Sequence, residues 1–246
     1  MPRALAHAIV VALLVGFLVF AFRRSGYDFQ WEGVWESRRM FLDGWLVTVA
    51  MSLVALLLSA LVGLVTAMAL ASRFRLVEAC ARVYVELVRG TPLLVQLLVG
   101  FYVVANAVGI ENRYVVGALV LSLFSGAYMA EIFRAGLAAI PAGQRDSARA
   151  IGLTPWQSLR LVILPQAVRL VLPPVAGQLV SLVKDSSLLS VIAVAEFTQA
   201  AQQVNSLTYS TLECYLPLAV GYLLLTLPLS ALARFLERRF AWEAGS

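Results

Sequence analysis

The chain predicts an all-α fold, a polytopic membrane helix bundle with five core spans preceded by one N-terminal span. Three observations lead there. Hydrophobic residues make up 61% of the 246 residues and charged ones only 13%, and the mean hydropathy is +0.85, beyond what a soluble globule carries. Charge-free runs recur along the sequence; the first, Gly44 to Ser72, holds 29 residues, against the roughly 20 that cross a hydrocarbon core as a helix. Arginines, finally, gather in segments that alternate spans would place on one side. The expected organisation is an anchor helix and outer loop over 1–43, a transmembrane domain over 44–240 containing a polar hairpin at 141–160, and a tail at 241–246.

The elements follow in chain order. The apolar run from Ala8 to Phe22 begins after Arg3, ends at Arg23 and Arg24 and lacks a small-residue cleavage signature, so it reads as an uncleaved anchor. Trp31, Trp35 and Trp45, with Tyr27, suit an aromatic belt near the outer end of the first core helix. Within that helix, Ser59 with Gly63 and Ala67 with Ala71 have the small-xxx-small spacing that lets helices approach closely. Further spans are expected from Gly90 to Ile110, Tyr114 to Ala130 and Cys214 to Ala233, all free of charge. The run from Leu161 to Val183 is interrupted only by Arg169 and by Pro165, Pro173 and Pro174. Between Ser186 and Leu212 the pairs Thr198-Gln199, Gln202-Gln203 and Asn205-Ser206 are too polar for a lipid-facing helix, so a partial helix and an outer loop are expected.

Lys and Arg are retained on the cytoplasmic side during insertion, and six spans with both termini inside place Arg3, Arg73, Arg75, Arg82, Arg89, Arg134, Arg145, Arg149, Arg160, Arg234, Arg238 and Arg239 there. In the first outer loop Arg23, Arg24, Arg38 and Arg39 are balanced by Asp28, Glu32, Glu36 and Asp43. If residues 8–22 did not cross, only the N-terminus would change sides, and the hairpin would stay cytoplasmic.

That hairpin, Ile140 to Pro165, is the most polar stretch inside the bundle. Pro141 and Gly143 suit a tight turn. Gln144 to Ile151 can form a short helix with charge on one side and Ala148, Ala150 and Ile151 on the other. Gly152 then stops it, and a second helix restarts with Thr154 as N-cap, Pro155 at the first position and Gln157 closing a capping box. With Arg145, Arg149 and Arg160 exposed, this is a docking element rather than a span.

Several chemistries are excluded. A phosphate-cradling loop needs a glycine-rich segment ending in Lys-Ser/Thr, whereas the only lysine, Lys184, lies between Val183 and Asp185; any ATP must be hydrolysed by another chain. His7 is the sole histidine and lies beside the anchor, so Ser186 and Ser187 have no base. Cys80 and Cys214 form no close-spaced motif and read as apolar packing residues. No catalytic residue, metal, cofactor or nucleic-acid partner is expected. Polar residues inside spans line paths or pair with one another: Glu131 with Arg134 and Glu86 with Arg89 read as local pairs, Arg169 snorkels, and Asn106 has no assigned role. Gln178 follows a Pro173–Pro174 break and Gly177, where backbone polar groups can face a cavity. It stands with Gln96, Lys184 and Asp185 as the candidate substrate path, although Lys184-Asp185 also reads as a neutralising pair at the outer face.

The placed residues resemble the permease family of polar amino-acid ABC importers. The family's cytoplasmic signature is Glu-Ala-Ala, three residues, Gly, nine residues, an aliphatic, one residue and Leu-Pro; here it reads Asp146-Ser147-Ala148, Gly152, Val162 and Leu164-Pro165, with Asp, Ser and Val as departures. The amino-acid subgroup is further resembled by Glu86 to Gln96, Tyr128 to Gly136 and Lys184 to Leu188. The resemblance covers residues 42–240 and implies a multi-pass permease of the bacterial cytoplasmic membrane. It implies that the hairpin couples to a dimeric cytoplasmic ABC ATPase through Gly143, Arg145, Asp146, Ser147, Ala148, Gly152, Leu153 and Pro165, and that an extracytoplasmic amino-acid-binding protein delivers substrate. Five core spans are too few to enclose an alternating-access path, so a second permease, identical or homologous, is expected. The uncharged Gln178 tilts the substrate towards glutamine, glutamate or another polar amino acid. The alternatives are a permease for another small solute such as a metal, sugar or phosphonate, a membrane enzyme, or a passive channel or scaffold.

Overall fold

The computed structural model describes residues 26–241 and, before them, positions 5, 9, 12–13, 16–17, 19–21 and 23–24. The anchor expected from Ala8 to Phe22, His7 and the tail beyond 241 therefore fall wholly or largely outside the described residues. Among the described residues every regular element is helical: α1 (Glu32–Glu36), α2 (Arg38–Leu70), α3 (Arg75–Gly90), α4 (Leu93–Val108), α5 (Arg113–Ala138), α6 (Ala142–Ala150), α7 (Pro155–Ile192), α8 (Phe197–Thr208) and α9 (Thr211–Ala241). Helices α2, α5, α7 and α9 are each long and apolar enough to cross a membrane, and α3 with α4, bent by 110° to each other, pass the same test only as a pair. Four of the five expected core spans are thus single helices, and the run from Gly90 to Ile110 falls on the bent pair. The first begins at Arg38, before its charge-free run, because Arg38 donates to the Trp35 carbonyl at 3.0 Å and stacks over the Trp35 ring, so its charge stays in the polar margin.

The centre of the bundle is the pairing of α2 with α5, and α7 and α9 pack outside it. Ser59, Gly63 and Ala67 form a buried stripe on α2, as their spacing predicts; Ala71, at its end, is exposed. At Gly63 an added Cβ would lie 2.4 Å from the Met129 Cβ and 3.1 Å from backbone atoms of Gly126 and Ala130. Those atoms are main chain or next to it, so they cannot swing aside.

Three sequence expectations change. Pro173 and Pro174 do not break α7, which is continuous from Leu164 to Asp185; inside a membrane bundle the freed backbone groups find local partners and the helix persists. Its irregular winding falls instead over Leu159–Ile163, a widened turn just before Pro165 that accommodates the missing proline N–H. Of the aromatic belt, Trp31 and Trp35 are exposed, but Tyr27 donates to the Glu213 carboxylate at 2.5 Å and Trp45 to the Gly221 carbonyl at 3.2 Å, both within the protein. Cys214 packs in an apolar cluster with Phe41 and Phe197, whereas Cys80 is exposed and packs nothing.

Within the polar stretch, Ser186–Ile192 closes α7 as a more tightly wound last segment, and α8 follows. Glu196 caps α8 from complete burial. Its carboxylate accepts from the backbone N–H of Thr198 and Gln199 at 2.9 and 2.7 Å, from Tyr222 of α9 at 3.1 Å and from Thr48 of α2 at 3.4 Å. One side chain thus ties three helices together at the end of the bundle remote from the hairpin. Burial pushes its carboxyl above the usual value, opposed by the two backbone donors. The folded state therefore holds this proton more tightly than the unfolded chain does, and the stability so gained is full below the ordinary carboxylate range and falls as pH rises through the raised value.

Two stability measurements check these contacts. Gly63→Ala should lower the unfolding free energy in detergent by about 1–3 kcal/mol through overpacking, while Gly143→Ala, where nothing lies within 4 Å of the new Cβ, should be neutral or stabilising by up to about 1 kcal/mol. Glu196→Gln should flatten the fall of the unfolding midpoint as pH rises above the ordinary carboxylate range, and Glu196→Ala should lower the midpoint throughout by leaving the cap donors unpaired.

Candidate functional site

Two polar features stand out against the apolar bundle: the hairpin, and a cavity between α5 and α7. The hairpin is built by local chemistry. Pro141 is extended (φ −55°, ψ 140°) and α6 starts at Ala142, so Gly143 lies in the first helical turn instead of forming the expected tight turn; a proline with fixed φ serves as entry residue and alanine begins the helix. At the other end Gly152 takes φ +82°. The Gly152 N–H reaches the Arg149 carbonyl at 2.9 Å and the Leu153 N–H the Ala148 carbonyl at 3.1 Å, the paired closure that a left-handed residue permits. Thr154 Oγ1 accepts from the Gln157 N–H at 3.3 Å, and Gln157 Oε1 accepts from the Thr154 N–H at 2.9 Å. This is the capping box expected from the sequence. Gln166 of α7 donates to Gln144 Oε1 at 3.3 Å, linking the two limbs.

The orientation of α6 differs from the amphipathic expectation. Of Ala148, Ala150 and Ile151, only Ala148 is buried, at 2% exposure, while Ile151 is 76% exposed. Arg145 and Arg149, one turn apart, flank Ala148 and line a cavity with Arg134 and the ends of α2 and α5. The short helix meets the bundle along a single line through Ala148, next to the apolar cluster of Ile140, Ile163 and Ala167, so its other side is left open. Gly143, Asp146 and Ser147 are exposed there; Leu153 is half-buried and Pro165 is exposed in the first turn after the widened segment. Trp156 adds a large exposed ring, 67% accessible, beside Ile151 on the outside of the hairpin.

The second feature is a cavity of about 460 Å³ lined by Arg89, Tyr128, Glu131, Ile132, Gly136, Pro174 and Gln178, among others. Gln178 donates to Ser125 Oγ at 3.2 Å, which fixes its amide on the wall. Glu131 forms the expected local pair with Arg134 at 2.7 Å. Arg89 does not pair with Glu86; it reaches Glu131 at 4.0 Å across the bundle, and its guanidinium lies 5.3 Å from the Tyr128 ring centre. Both residues precede the bend on α3; the packing of α3 against α5 is what puts Arg89 beside Tyr128 and Glu131.

The remaining path candidates lie apart from this cavity. Gln96 clamps the bend, with Nε2 donating to the Val88 carbonyl at 2.7 Å and to the Thr91 carbonyl and hydroxyl at 3.1 and 2.8 Å. Lys184 is exposed and Asp185 half-buried near the far end of α7, and Asn106 donates to the Tyr102 carbonyl one turn back on its own helix. Sequence reasoning missed the cross-bundle role of Arg89 and the burial of Glu196 and Glu213. For Glu196 a signal existed, an acidic residue just before Phe197-Thr198-Gln199 at the start of a helix. Glu213 gives none, since its partners are Tyr27 and the backbone N–H of Gln30, far away in sequence.

A polytopic bundle with an exposed, capped hairpin at one end and, between its spans, a largely apolar cavity that carries Arg89, Glu131 and Gln178 is the architecture of a membrane transport subunit. The chain belongs to the family of binding-protein-dependent transport system inner membrane components, whose model matches residues 59–242. It is 34% identical over 214 residues to the glutamine transport system permease protein GlnP of Escherichia coli K12, covering 86% of this chain and 98% of that one. The glutamate/aspartate import permease protein GltK of Escherichia coli O157:H7 is 33% identical over 224 residues, covering 87% of this chain and all of GltK. A crystal structure of an amino acid ABC transporter with histidines superposes with a TM-score of 0.80 at 34% identity, covering 87% of this chain and 100% of that one. The chain is thus a membrane-embedded ABC transport permease.

The capping chemistry makes a local prediction. Thr154→Ala should destabilise the hairpin by about 1 kcal/mol, seen as faster amide exchange over residues 150–158 with the exchange of α2 and α5 unchanged. Gly152→Ala should act in the same direction from backbone strain alone, since no atom lies within 4 Å of the added Cβ.

Proposed function

We propose that the chain is the translocating subunit of an ATP-driven importer of polar amino acids in the bacterial cytoplasmic membrane. A pair of ABC ATPase subunits docks on the hairpin, a second permease, identical or homologous, completes the path, and an extracytoplasmic binding protein supplies substrate. One observation carries this reading: the exposed, doubly capped hairpin is rooted on α7, the same helix that brings Gln178 to the wall of the cavity with Arg89 and Glu131. A partner that moves the hairpin therefore acts on a helix that borders the cavity. The docking side is the open one, with Gly143, Asp146, Ser147, Gly152 and Leu153, where small residues and a shaped turn leave room for a groove-like partner.

The substrate class is supported by the transported solutes named for the relatives, glutamine and glutamate/aspartate, and by the chemistry of the cavity. Arg89 and Glu131, 4.0 Å apart, complement the carboxylate and ammonium of a zwitterion through charge-assisted hydrogen bonds. Gln178 offers an uncharged polar group to a side chain. A metal, a neutral sugar or a phosphonate finds no comparable pairing: among the described residues no cluster of three metal-ligating side chains forms, and the carboxylate of Glu131 would repel a phosphonate.

The test is ATP-dependent uptake of a radiolabelled amino-acid panel by proteoliposomes carrying the chain with its ATPase and binding protein. Uptake of one polar amino acid is expected, abolished by Gly152→Asp with the complex still assembled, and weakened about tenfold in KM by Gln178→Leu, the value of one lost hydrogen bond. An intact, ATP-hydrolysing complex that moves no member of the panel would reject the amino-acid reading.

A further inference from the structure

The cavity between the hairpin and the ends of the spans is separate from the one that holds Gln178. It has a volume of about 450 Å³. Three guanidiniums line it, Arg134 from α5 and Arg145 and Arg149 from α6, above apolar walls that include Ala67, Leu137 and Ile163. Arg134 is already paired with Glu131 at 2.7 Å. Among the described residues no carboxylate lies within ion-pair distance of Arg145 or Arg149, so their two charges converge on an apolar recess without a counter-charge.

We infer that this recess binds the headgroup phosphate of an anionic phospholipid of the cytoplasmic leaflet. Depth is the first reason. Ala67 and Ala71 lie at the end of α2, and Leu137 and Ala138 in the last turn of α5, the level at which spans leave the hydrocarbon and headgroups begin. Charge is the second, because planar guanidiniums grip phosphate with paired hydrogen bonds and basic clusters at this level attract acidic lipids. The third is that Leu137 and Leu159 both line the recess and are exposed, an apolar rim against which acyl chains can lie. Finally, Arg145 and Arg149 flank the buried Ala148 line of α6, away from the open side of Gly143 and Ser147, so a soluble partner on that side does not need them. The inference rests on this end of the bundle facing the cytoplasm and moves Arg145 from the expected ATPase contact to the lipid; it is independent of the substrate class.

The experiment is native mass spectrometry of the complete transporter complex, released from nanodiscs that contain equal amounts of phosphatidylglycerol and phosphatidylcholine. Retained phosphatidylglycerol is expected in clear excess, and R145Q/R149Q should weaken its retention roughly 30-fold, the effect of two basic side chains near a headgroup. R145K/R149K, which keeps the charge, should retain most of it, and Arg234→Gln, a basic residue outside the recess, all of it. Equal retention of the two lipids, or retention unaffected by the double glutamine variant, would overturn the inference. So would displacement of the lipid by millimolar inorganic phosphate that itself stays bound, which would assign the recess to free phosphate. Loss of the ATPase from R145Q/R149Q with lipid retention unchanged would assign the arginines to the ATPase interface and equally overturn it.

Discussion

The close crossing of α2 and α5 is the constraint on which the other features depend. It exists because Gly63 has no side chain where Met129 and Ala130 press against it, and because Gly126 leaves room for Val62, whose Cγ1 would lie 2.6 Å from an added Cβ. Dispersion contacts, not the hydrophobic effect, hold helices together in lipid, and they reward close backbone approach. The crossing also fixes the rotation of α5 about its axis. Beside its glycine contact with α2, the helix presents Ser125, Tyr128, Glu131 and Arg134 at intervals of three residues, a row that winds about half a turn round its axis. Each has a partner on a different element: Gln178 on α7 for Ser125, Arg89 on α3 for Tyr128 and Glu131, and the hairpin recess for Arg134. A single winding row of α5 side chains thus runs from the cavity to the hairpin.

What was legible in the sequence was whatever local chemistry decides. The five core spans follow from charge-free length, and the hairpin from Gly152, Thr154, Pro155 and Gln157, because caps are satisfied by residues two to five positions away. The stripe of Ser59, Gly63 and Ala67 could be read as a contact face, though not as one that meets α5. Side-chain roles that depend on distant partners were not legible. Arg89 looked like the partner of Glu86 because three residues separate them on one helix, yet α3 packs against α5 and Arg89 reaches Glu131 there. Gln96 looked like a path residue because it is polar inside an apolar run; its amide instead satisfies carbonyl groups that the bend exposes. The missing information was the packing of α3 on α5 and the 110° bend that follows it, which no periodicity reports.

Buried carboxylates show the same limit from the opposite direction. Glu196 and Glu213 are both fully buried, and both stand at the starts of helices, where unpaired N–H groups and the helix dipole favour negative charge. A sequence reader can place them at helix starts, but their burial comes from Thr48, Tyr222, Tyr27 and Gln30, contributed by segments that are remote in the chain. Taking such a group out of water is tolerated only when several donors surround it. Each site therefore binds separate elements together with a cost attached to letting go, which suits the end of the molecule that must keep its shape while the other end moves.

Whether motion at one end reaches the other turns on α7. Had Pro173 and Pro174 broken it, as their sequence suggests, displacement of the hairpin would have been absorbed at a hinge below Gln178. The helix instead continues through both prolines to Asp185 and on to Ile192, so that Pro155, at the hairpin, and Gln178, at the cavity wall, belong to one rod of 38 residues. Its one loosened segment, the widened turn at Leu159–Ile163, lies beside the hairpin, where Ile163 packs with Ile140 and Ala167. A load applied at the hairpin first meets that adjustable turn and then a stiff helix. In the proposed importer this arrangement lets the docking turn adapt to its partner while α7 as a whole carries the displacement past α5, and the contact of Gln178 with Ser125 is the polar link that such sliding must break or shift.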